Sequence, residues 1–511
     1  MMKYLLVLSC LVTLVVQTPC PVLGATSSSL VSCLQQVRGL SVELPNTESY
    51  NKDRQVWEKK VDPAYPIAVV VPKSKRQVQE AIVCANKANI RVVPKSGGHS
   101  YLGYSMQNLT LSIDLKTIDT IKVDTSSNTL TCGAGSTLGE LYYSAWYEGQ
   151  KGFNAGTCPP VGVSGFFLGG GFGYYSRRAG MSCDNVVSLT MVDWKGNLIE
   201  ASAKKNQDLF WAACGGGGGN FGLVVEWTIK MMDVPQVIQY ASIKYPAGID
   251  TAANVLYYYQ TWAANADDDL GTEFHFGPKN PQASLFFYYA GDKNLKDILN
   301  ESKLLTIGGG TPPTVSFSNL TWINAVLNQA GWGLKDPEQL LNKNWSQFQD
   351  YRKEKSFYIY PKGWSKSIFT ALFNLWQEMY PEQGNIKFRA SGGKIADVKP
   401  TATAFPHRKA LGWMIFKAEW DEGDSKMEKQ GYDWIAKSSQ LIQSNGEPNY
   451  AYINYIDNIE DWQNAYYRFN YPKLQKVKAS YDPEDMFSYP QMGISAKNPS
   501  TCRFKPCLSS S

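Results

Sequence analysis

The chain has 511 residues, 43% of them hydrophobic and 19% charged, with a formal net charge of +5. That length exceeds what one small core needs, so two domains are expected. The modest charge is spread without a long basic run, so no nucleic-acid partner is expected. No segment after the leader carries the roughly 18 uninterrupted apolar residues of a membrane span, so no membrane partner is expected either.

In chain order, Lys3 and a short apolar run from Leu5 to Val16 are followed by small residues at Gly24 and Ala25. This reads as a secretory leader over residues 1–25, with the mature protein secreted and extracellular. An oxidising compartment permits disulfides. Cys10 and Cys20 leave with the leader, and eight cysteines remain, at 33, 84, 132, 158, 183, 214, 502 and 507. Cys33 precedes a helical pattern and Cys84 lies inside the amphipathic "SKRQVQEAIVCANKANI"; these two are expected to pair, and Cys502 with Cys507 could close a small tail loop. Sequons at Asn108, Asn300, Asn319 and Asn344 are candidate glycan sites.

Next, "QVQEAIVCANKA" has helical spacing, "IRVVPKSGG" reads as a strand ending at glycines, and "LTLSIDL" and "NTLTCGAGS" read as strands. "TLGELYYSAWYEG" reads as a helix stopping at Gly149, and "VVSLTMVDWKGNLIEAS" as a hairpin turning at Lys195-Gly196-Asn197. "NQDLFWAA" is a short helix broken by five glycines, and "LVVEWTIKM" is a strand. From about Val234 the segments lengthen. Strands "GTEFHFG", "SLFFYYAG", "NIKFRASGG" and "LGWMIFKAEW" alternate with helices "AANVLYYYQTWAAN", "KSIFTALFNLWQEMY" and "MEKQGYDWIAKSSQLIQS". This pattern predicts an α+β domain with helices on one face of a sheet.

Only three histidines occur, His99, His275 and His407. His99 stands in "PKSGGHSYLGY", behind two glycines, where it could be a metal ligand, a base, a structural residue or a covalent anchor. No His/Cys/carboxylate cluster at ligand spacing surrounds it, so no metal is expected. Glycine is concentrated in "SGGHSYLG", "GAGSTLGE", "GVSGFFLGGGFG" and "GGGGGNFG". Such density suits backbone that approaches a ligand closely, and exposed N–H groups suit a pyrophosphate. The Rossmann and Walker A fingerprints are both absent, so a dinucleotide would be held in another way.

"PKSGGHSY", "GTCPPVGVSGFFLGGGFG", "DLFWAACGGGGGNFG", "AYINYID" and "YDPEDMF" together resemble the berberine bridge enzyme-like flavoproteins, within the group that has a vanillyl-alcohol-oxidase-type FAD domain. The resemblance runs from about Cys33 to Gln491. It implies an α+β fold: a two-part FAD-binding domain over 26–235, a substrate-binding domain over 236–448 whose antiparallel sheet is covered by helices on one face, and a return to the first domain over 449–511. It also implies FAD bound covalently through His99 and Cys158, with Ser96, Gly97, Gly98, Val161, Gly162, Val163, Gly170 and Asn454 around the cofactor. Val161 stands where related oxidases have Val, which points to O2 as the acceptor. Two departures are Phe166, where relatives often have His, and Cys214, where they often have Arg; a core role is expected for Cys214.

Flavin oxidation of an alcohol needs a base for the hydroxyl proton. The resemblance offers Tyr455. The carboxylate expected beside that tyrosine is replaced by Arg389, and the next carboxylate along, Asp397, would meet Tyr455 if the strand ran on past Gly393. Tyr101, Tyr452 and Trp413 are the expected substrate contacts. "FPHRKALGW", taken as a strand, and "PQMGI" resemble the sugar-oxidising branch. The reaction implied is oxidation of the anomeric carbon of a reducing sugar, cellobiose or a related oligosaccharide, to a lactone, with O2 becoming H2O2, by a monomer. Oxidation of an allylic or aromatic alcohol of the monolignol type is an alternative. So is a non-catalytic secreted FAD protein that binds carbohydrate or acts in defence.

Overall fold

The computed structural model describes residues 21–61, 64–344, 349, 351–489, 493–496 and 504. The Cys502–Cys507 pairing, most of the leader and most of "PQMGI" lie outside these residues. The architecture is α+β, with three sheets.

The first sheet has the order β1 (Ser41–Glu43), β2 (Ala68–Val71), β4 (Leu111–Asp114), β3 (Val92–Lys95). β4 pairs in parallel with both β2 and β3, while β1 adds antiparallel to β2. A parallel arrangement needs a crossover between β2 and β3, and the helix Lys75–Ala88 provides it. Ser74 caps its start by accepting from the Gln77 N–H, and Asn89 ends it in the left-handed conformation. Val78, Ala81, Ile82 and Ala85 recur at helical spacing and are buried against the sheet. Cys84 on this helix is joined to Cys33, with their Cα atoms 5.6 Å apart.

The second sheet is antiparallel, in the order β5 (Ile121–Asp124), β6 (Thr129–Gly133), β9 (Leu223–Lys230), β7 (Val186–Val192), β8 (Leu198–Ser202). The helix Leu138–Gly149 follows β6 and starts with a capping box, Thr137 with Glu140.

The third sheet has seven antiparallel strands, in the order β13 (Thr314–Leu320), β10 (Ile238–Lys244), β12 (Ala283–Tyr289), β11 (Leu270–Phe276), β15 (Asn385–Ala390), β16 (Gly412–Trp420), β14 (Tyr351–Ile359). Helices Ile249–Asn265, Lys366–Met379 and Ser425–Ser444 share one apolar core with one face of it, through Phe274, Phe276, Phe357, Ile386, Phe388, Met414 and Phe416. Side chains alternate along a strand, so residues between these point to the other face. There the structure places Glu273, His275, Glu354, Lys387, Arg389 and Lys417, and that face lines the main cavity.

Beyond residue 449 the chain first meets β14, where the Tyr450 carbonyl accepts from the Tyr358 N–H and Ser356 Oγ accepts from the Tyr452 N–H, and then packs on parts of the first two sheets. Lys478, fully buried, donates to the Asn220 and Phe487 carbonyls, both at 2.7 Å, and to Asp482 at 2.6 Å. Met486 accepts from the N–H of Val92 in β3.

One sequence expectation is extended here and one is corrected. Cys214 lies in the core as expected, and it is also bonded to Cys183, 31 residues earlier. Residues 405–411 of "FPHRKALGW" form turns, and the strand begins only at Gly412. His407 and Arg408 hold these turns in place: Arg408 grips Asp184 with two hydrogen bonds, of 2.6 and 2.7 Å, and His407 Nδ1 lies 2.9 Å from the Tyr360 hydroxyl.

Candidate active site

A cavity of about 970 Å³ lies where the three sheets meet. One half of its wall is backbone. Gly97 and Gly162 stack so closely that a Cβ on Gly97 would stand 2.2 Å from the Gly162 N, and one on Gly162 would stand 2.0 Å from the Gly97 N. Only glycine fits at either position. The contact clamps the loop carrying His99 to the loop carrying Cys158. Ser96 Oγ donates to the Ala134 carbonyl at 2.6 Å, as does Ser164 Oγ at 3.0 Å, fixing both loops to the end of β6.

His99 and Cys158 both line the cavity. The imidazole stacks on Trp57, with ring centroids 4.2 Å apart, and has the Pro160 carbonyl as its hydrogen-bond partner. Burial, helped by the charge of Arg352, pushes its pKa down to about 3. His99 is therefore a neutral ring with one nitrogen engaged. Cys158 is a free thiol. Burial raises its pKa, while Arg352, Lys417 and Arg389 pull it down.

The deeper end is lined by the glycine run 217–219, Tyr104 and Tyr489, whose rings stack at 4.6 Å. Tyr489 and Tyr467 donate to the carbonyls of Gly218 and Gly216, so the C-terminal segment braces this loop. A Cβ on Gly165 would meet nothing within 4 Å, and one on Gly218 only the Gly165 Cα, at 3.7 Å. These two backbones border open cavity space. A glycine-walled cleft, stacked tyrosines, a neutral imidazole and a free thiol together fit a flavin dinucleotide.

Asn454 lines the cavity and donates to the Phe166 carbonyl at 3.0 Å and to the Tyr452 hydroxyl at 3.1 Å. Ser96, Gly97, Gly98, Val161, Gly162, Tyr101 and Tyr452 line it too. Val163 and Gly170 do not. Val163 is fully buried in the core, and Gly170 turns the chain at φ +109°, facing Met181 and Phe405. Neither borders the cavity, so the expected cofactor contact is corrected for both.

Tyr455 stands over the charged face of the third sheet. Its ring stacks on Tyr101 at 5.4 Å. Its hydroxyl accepts a hydrogen bond from Arg389 Nη1 at 3.2 Å, and Arg389 Nε donates to Glu273 Oε1 at 2.9 Å. The other Glu273 oxygen takes the Tyr174 hydroxyl at 2.6 Å and lies 3.2 Å from His275 Nε2. Burial raises the Tyr455 pKa and the Arg389 charge opposes it. Glu273 is held well below the usual carboxylate range: Arg389 and His275 outweigh the burial.

Asp397 is therefore not the partner of Tyr455. The strand ends at Ala390, the chain turns through Gly392 and Gly393, and Asp397 falls on a short helix, exposed and paired with Lys394 at 2.9 Å. Trp413 is corrected as well. It is 1% exposed and packs edge-on to Phe172 behind the cavity wall, so it offers no face to a substrate. Trp57 and Trp332, stacked at 6.0 Å, are the tryptophans that do line the cavity.

Sequence reasoning missed Glu273, Lys387, Arg352, Glu354 and Lys417. The signal was present: "TEFH" and "IKFR" alternate charged with apolar residues at period two.

A glycine-clamped, two-loop cleft opening on a charged sheet face fits an FAD-dependent oxidoreductase. Comparison with known proteins agrees. A family described as "FAD binding domain" matches residues 66–202, and one described as "Berberine and berberine like" matches 451–492. The chain is 30% identical over 455 residues to a reticuline oxidase of Papaver somniferum, covering 83% of each chain. It is 29% identical over 460 residues to a monolignol oxidoreductase of Arabidopsis thaliana, again covering 83% of each. Among solved structures, a chitooligosaccharide oxidase superposes with a TM-score of 0.83 at 26% identity, covering 92% of this chain and 100% of the other. The chain belongs to the berberine bridge enzyme-like family of FAD oxidoreductases.

Proposed function

We propose that this protein is a secreted FAD-dependent oxidase of reducing sugars. It converts the anomeric CH–OH of cellobiose or a related oligosaccharide to the lactone while O2 becomes H2O2. The observation that carries this reading is the Tyr455 hydroxyl, set in the cavity beside Arg389 and above a polar, charged sheet face. A polyhydroxylated ring can satisfy such a wall with hydrogen bonds; an aromatic alcohol would leave it unpartnered. The likeness to a chitooligosaccharide oxidase supports the same reading. The disulfides support an oxidising compartment.

His99 and Cys158 are the residues that would hold FAD covalently. A neutral imidazole is the nucleophilic form of His99, whereas burial holds the Cys158 thiol above its ordinary pKa and Arg352, Lys417 and Arg389 only partly oppose it. When bound, FAD would supply the hydride acceptor and the route by which two electrons reach O2. Tyr455 takes the sugar hydroxyl proton on its oxygen as the anomeric hydrogen leaves with its electron pair. Arg389 lowers the cost of negative charge on that oxygen, and Glu273 holds the guanidinium in place. Tyr101 and Tyr452 flank Tyr455 and exclude water from the reacting centre. Val161, small and at the cavity wall, leaves O2 a path.

The test is to incubate purified protein in air with cellobiose, glucose or coniferyl alcohol and assay peroxide. The same protein is precipitated in acid to see whether the yellow colour stays with the pellet. Peroxide from the sugars and a yellow pellet are expected. Peroxide from coniferyl alcohol alone would overturn the sugar reading, and a colourless pellet would overturn the covalent anchors.

A further inference from the structure

The seven-stranded sheet has two edges, and the chain closes one of them. Along β14 the Tyr450 carbonyl accepts from the Tyr358 N–H, and Lys60 donates to the Arg352 carbonyl. β13, at the other end, is seven residues long and among the described residues pairs with β10 alone. A long exposed edge strand is a template for pairing with another chain, and proteins blunt it with charge, proline or a cover. β13, "TVSFSNL", has no charged residue and no proline. It does carry Asn319, in the sequon Asn319-Leu320-Thr321.

The strand puts that asparagine beside an aromatic ring. Ser316 Oγ lies 2.7 Å from Ser242 Oγ on one face, while Val315 packs on the other against the core shared with the helices. Side chains alternate, so Phe317 and Asn319 share the Val315 face, with Cα atoms about 6.8 Å apart. Phe317 is 39% exposed, and Lys296 Nζ stands 5.2 Å from its ring centroid. Asn319 is exposed too. Its cross-strand neighbour Gln239 spends its amide elsewhere, donating to the Lys293 carbonyl at 2.7 Å and accepting from the Leu295 N–H at 2.9 Å. The other three sequons have no aromatic residue two positions before them: Met106 precedes Asn108, Ile298 precedes Asn300 and Asn342 precedes Asn344. Asn108 also spends its Oδ1 on the Tyr65 N–H, at 2.6 Å.

We propose that Asn319 carries an N-linked glycan whose first N-acetylglucosamine lies on the Phe317 ring and closes the free edge of the sheet. This rests on the reading that the chain is secreted and is independent of which alcohol it oxidises. In the attachment, Asn319 Nδ2 gives up a proton and bonds to the anomeric carbon of an oligosaccharide carried on a lipid diphosphate. The bond from that carbon to the diphosphate breaks, and the lipid diphosphate leaves. The face of an aromatic ring is negative and the C–H bonds on a pyranose face are weakly positive, so the two stack. The bulk of the sugars then stands where a second strand would have to pair.

Thr321 also caps the helix Trp322–Ala330, accepting from the Asn324 N–H at 3.3 Å, so Asn319→Gln, which spares the cap, is the variant to use. The full chain is expressed in insect cells, and protein from the medium is digested. Mass spectrometry compares the peptide holding residue 319 before and after amidase release of glycans, which turns a modified Asn into Asp. Melting temperatures are taken for wild type, Phe317→Ala, Asn319→Gln and the double variant. Glycan on Asn319 is expected. Phe317→Ala should cost the glycosylated protein about 2 °C or more beyond what it costs the Asn319→Gln protein. By light scattering, Asn319→Gln should associate where the wild type stays monodisperse. Secreted protein bare at Asn319, equal costs of Phe317→Ala in both backgrounds, or Asn319→Gln scattering as the wild type does would overturn the proposal. Chain kept inside the cell with no glycan at any sequon would overturn the secretory reading as well.

Discussion

At the residue scale, the base and its neighbour decide the chemistry. "YINY" and "FRASGGK" show in sequence that Tyr455 faces a cation where a carboxylate was expected; where the strand ends is not legible from them. Gly392, at φ +92°, and Gly393, at φ +50°, turn the chain away, so Asp397 ends in solvent. Asp397→Asn should leave the rate of flavin reduction and its pH profile unchanged; a slowed, alkaline-shifted profile would return Asp397 to the site. Arg389→Met, by contrast, should move the profile. The guanidinium lowers the Tyr455 pKa against the burial that raises it. Without it the tyrosine deprotonates at higher pH, so the rising limb of the rate should move to the alkaline side. Because burial leaves the Tyr455 pKa above its ordinary value, stopped-flow reduction is carried to the alkaline limit of the protein's stability to read this, and an unmoved limb would remove Arg389 from the mechanism.

At the element scale, helices and sheets with strong local signals were legible. The amphipathic run with its Ser74 and Asn89 caps is the helix Lys75–Ala88, and Gly149 is the last residue of the helix begun at Leu138. Strands β1, β2, β5, β10, β13 and β14 were not. β1 is three residues long, and β13 is an exposed edge whose residues lack apolar alternation. β14, "YRKEKSFYI", begins with four charged residues in five because one of its faces borders the charged cavity. Cys183 with Cys214 was missed because the turn that joins them is tertiary. The C-terminal helix Tyr471–Tyr481 makes a sharper prediction. Lys478 and Asp482 are both fully buried, and the lysine also ties the glycine loop at Asn220 to Phe487. Lys478→Met leaves Asp482 as a buried uncompensated charge, which should cost about 3–5 kcal/mol in unfolding free energy. Denaturant titration measures it, and a loss below ~1 kcal/mol would show that Asp482 finds another partner.

At the scale of the whole molecule, stability depends on histidines kept neutral. Burial, with Arg468 nearby, pushes the pKa of His407 down to about 3 from an ordinary 6.5. Above pH 6.5 the ring is neutral in both folded and unfolded chains and adds no pH dependence. Below it the unfolded chain takes a proton that the folded chain refuses. Stability therefore falls with falling pH, by about 1.4 kcal/mol per pH unit for this one group, until pH nears 3. His407→Asn should flatten the acid limb of a melting-temperature profile by that share, and an identical slope would assign the acid sensitivity elsewhere. The architecture as a whole converges on one cavity: glycine loops from the first half clamp His99 and Cys158, the third sheet supplies the charged wall, and the C-terminal return supplies Tyr455 and Asn454. The central claim is that Tyr455 removes the sugar hydroxyl proton there. Anaerobic stopped-flow reduction by cellobiose, in wild type and Tyr455→Phe, tests it most directly. A base at this position is worth about 10²–10⁴-fold, so the variant should bleach its flavin more slowly by that factor, with sugar affinity changed far less. Reduction as fast as in wild type would contradict the account.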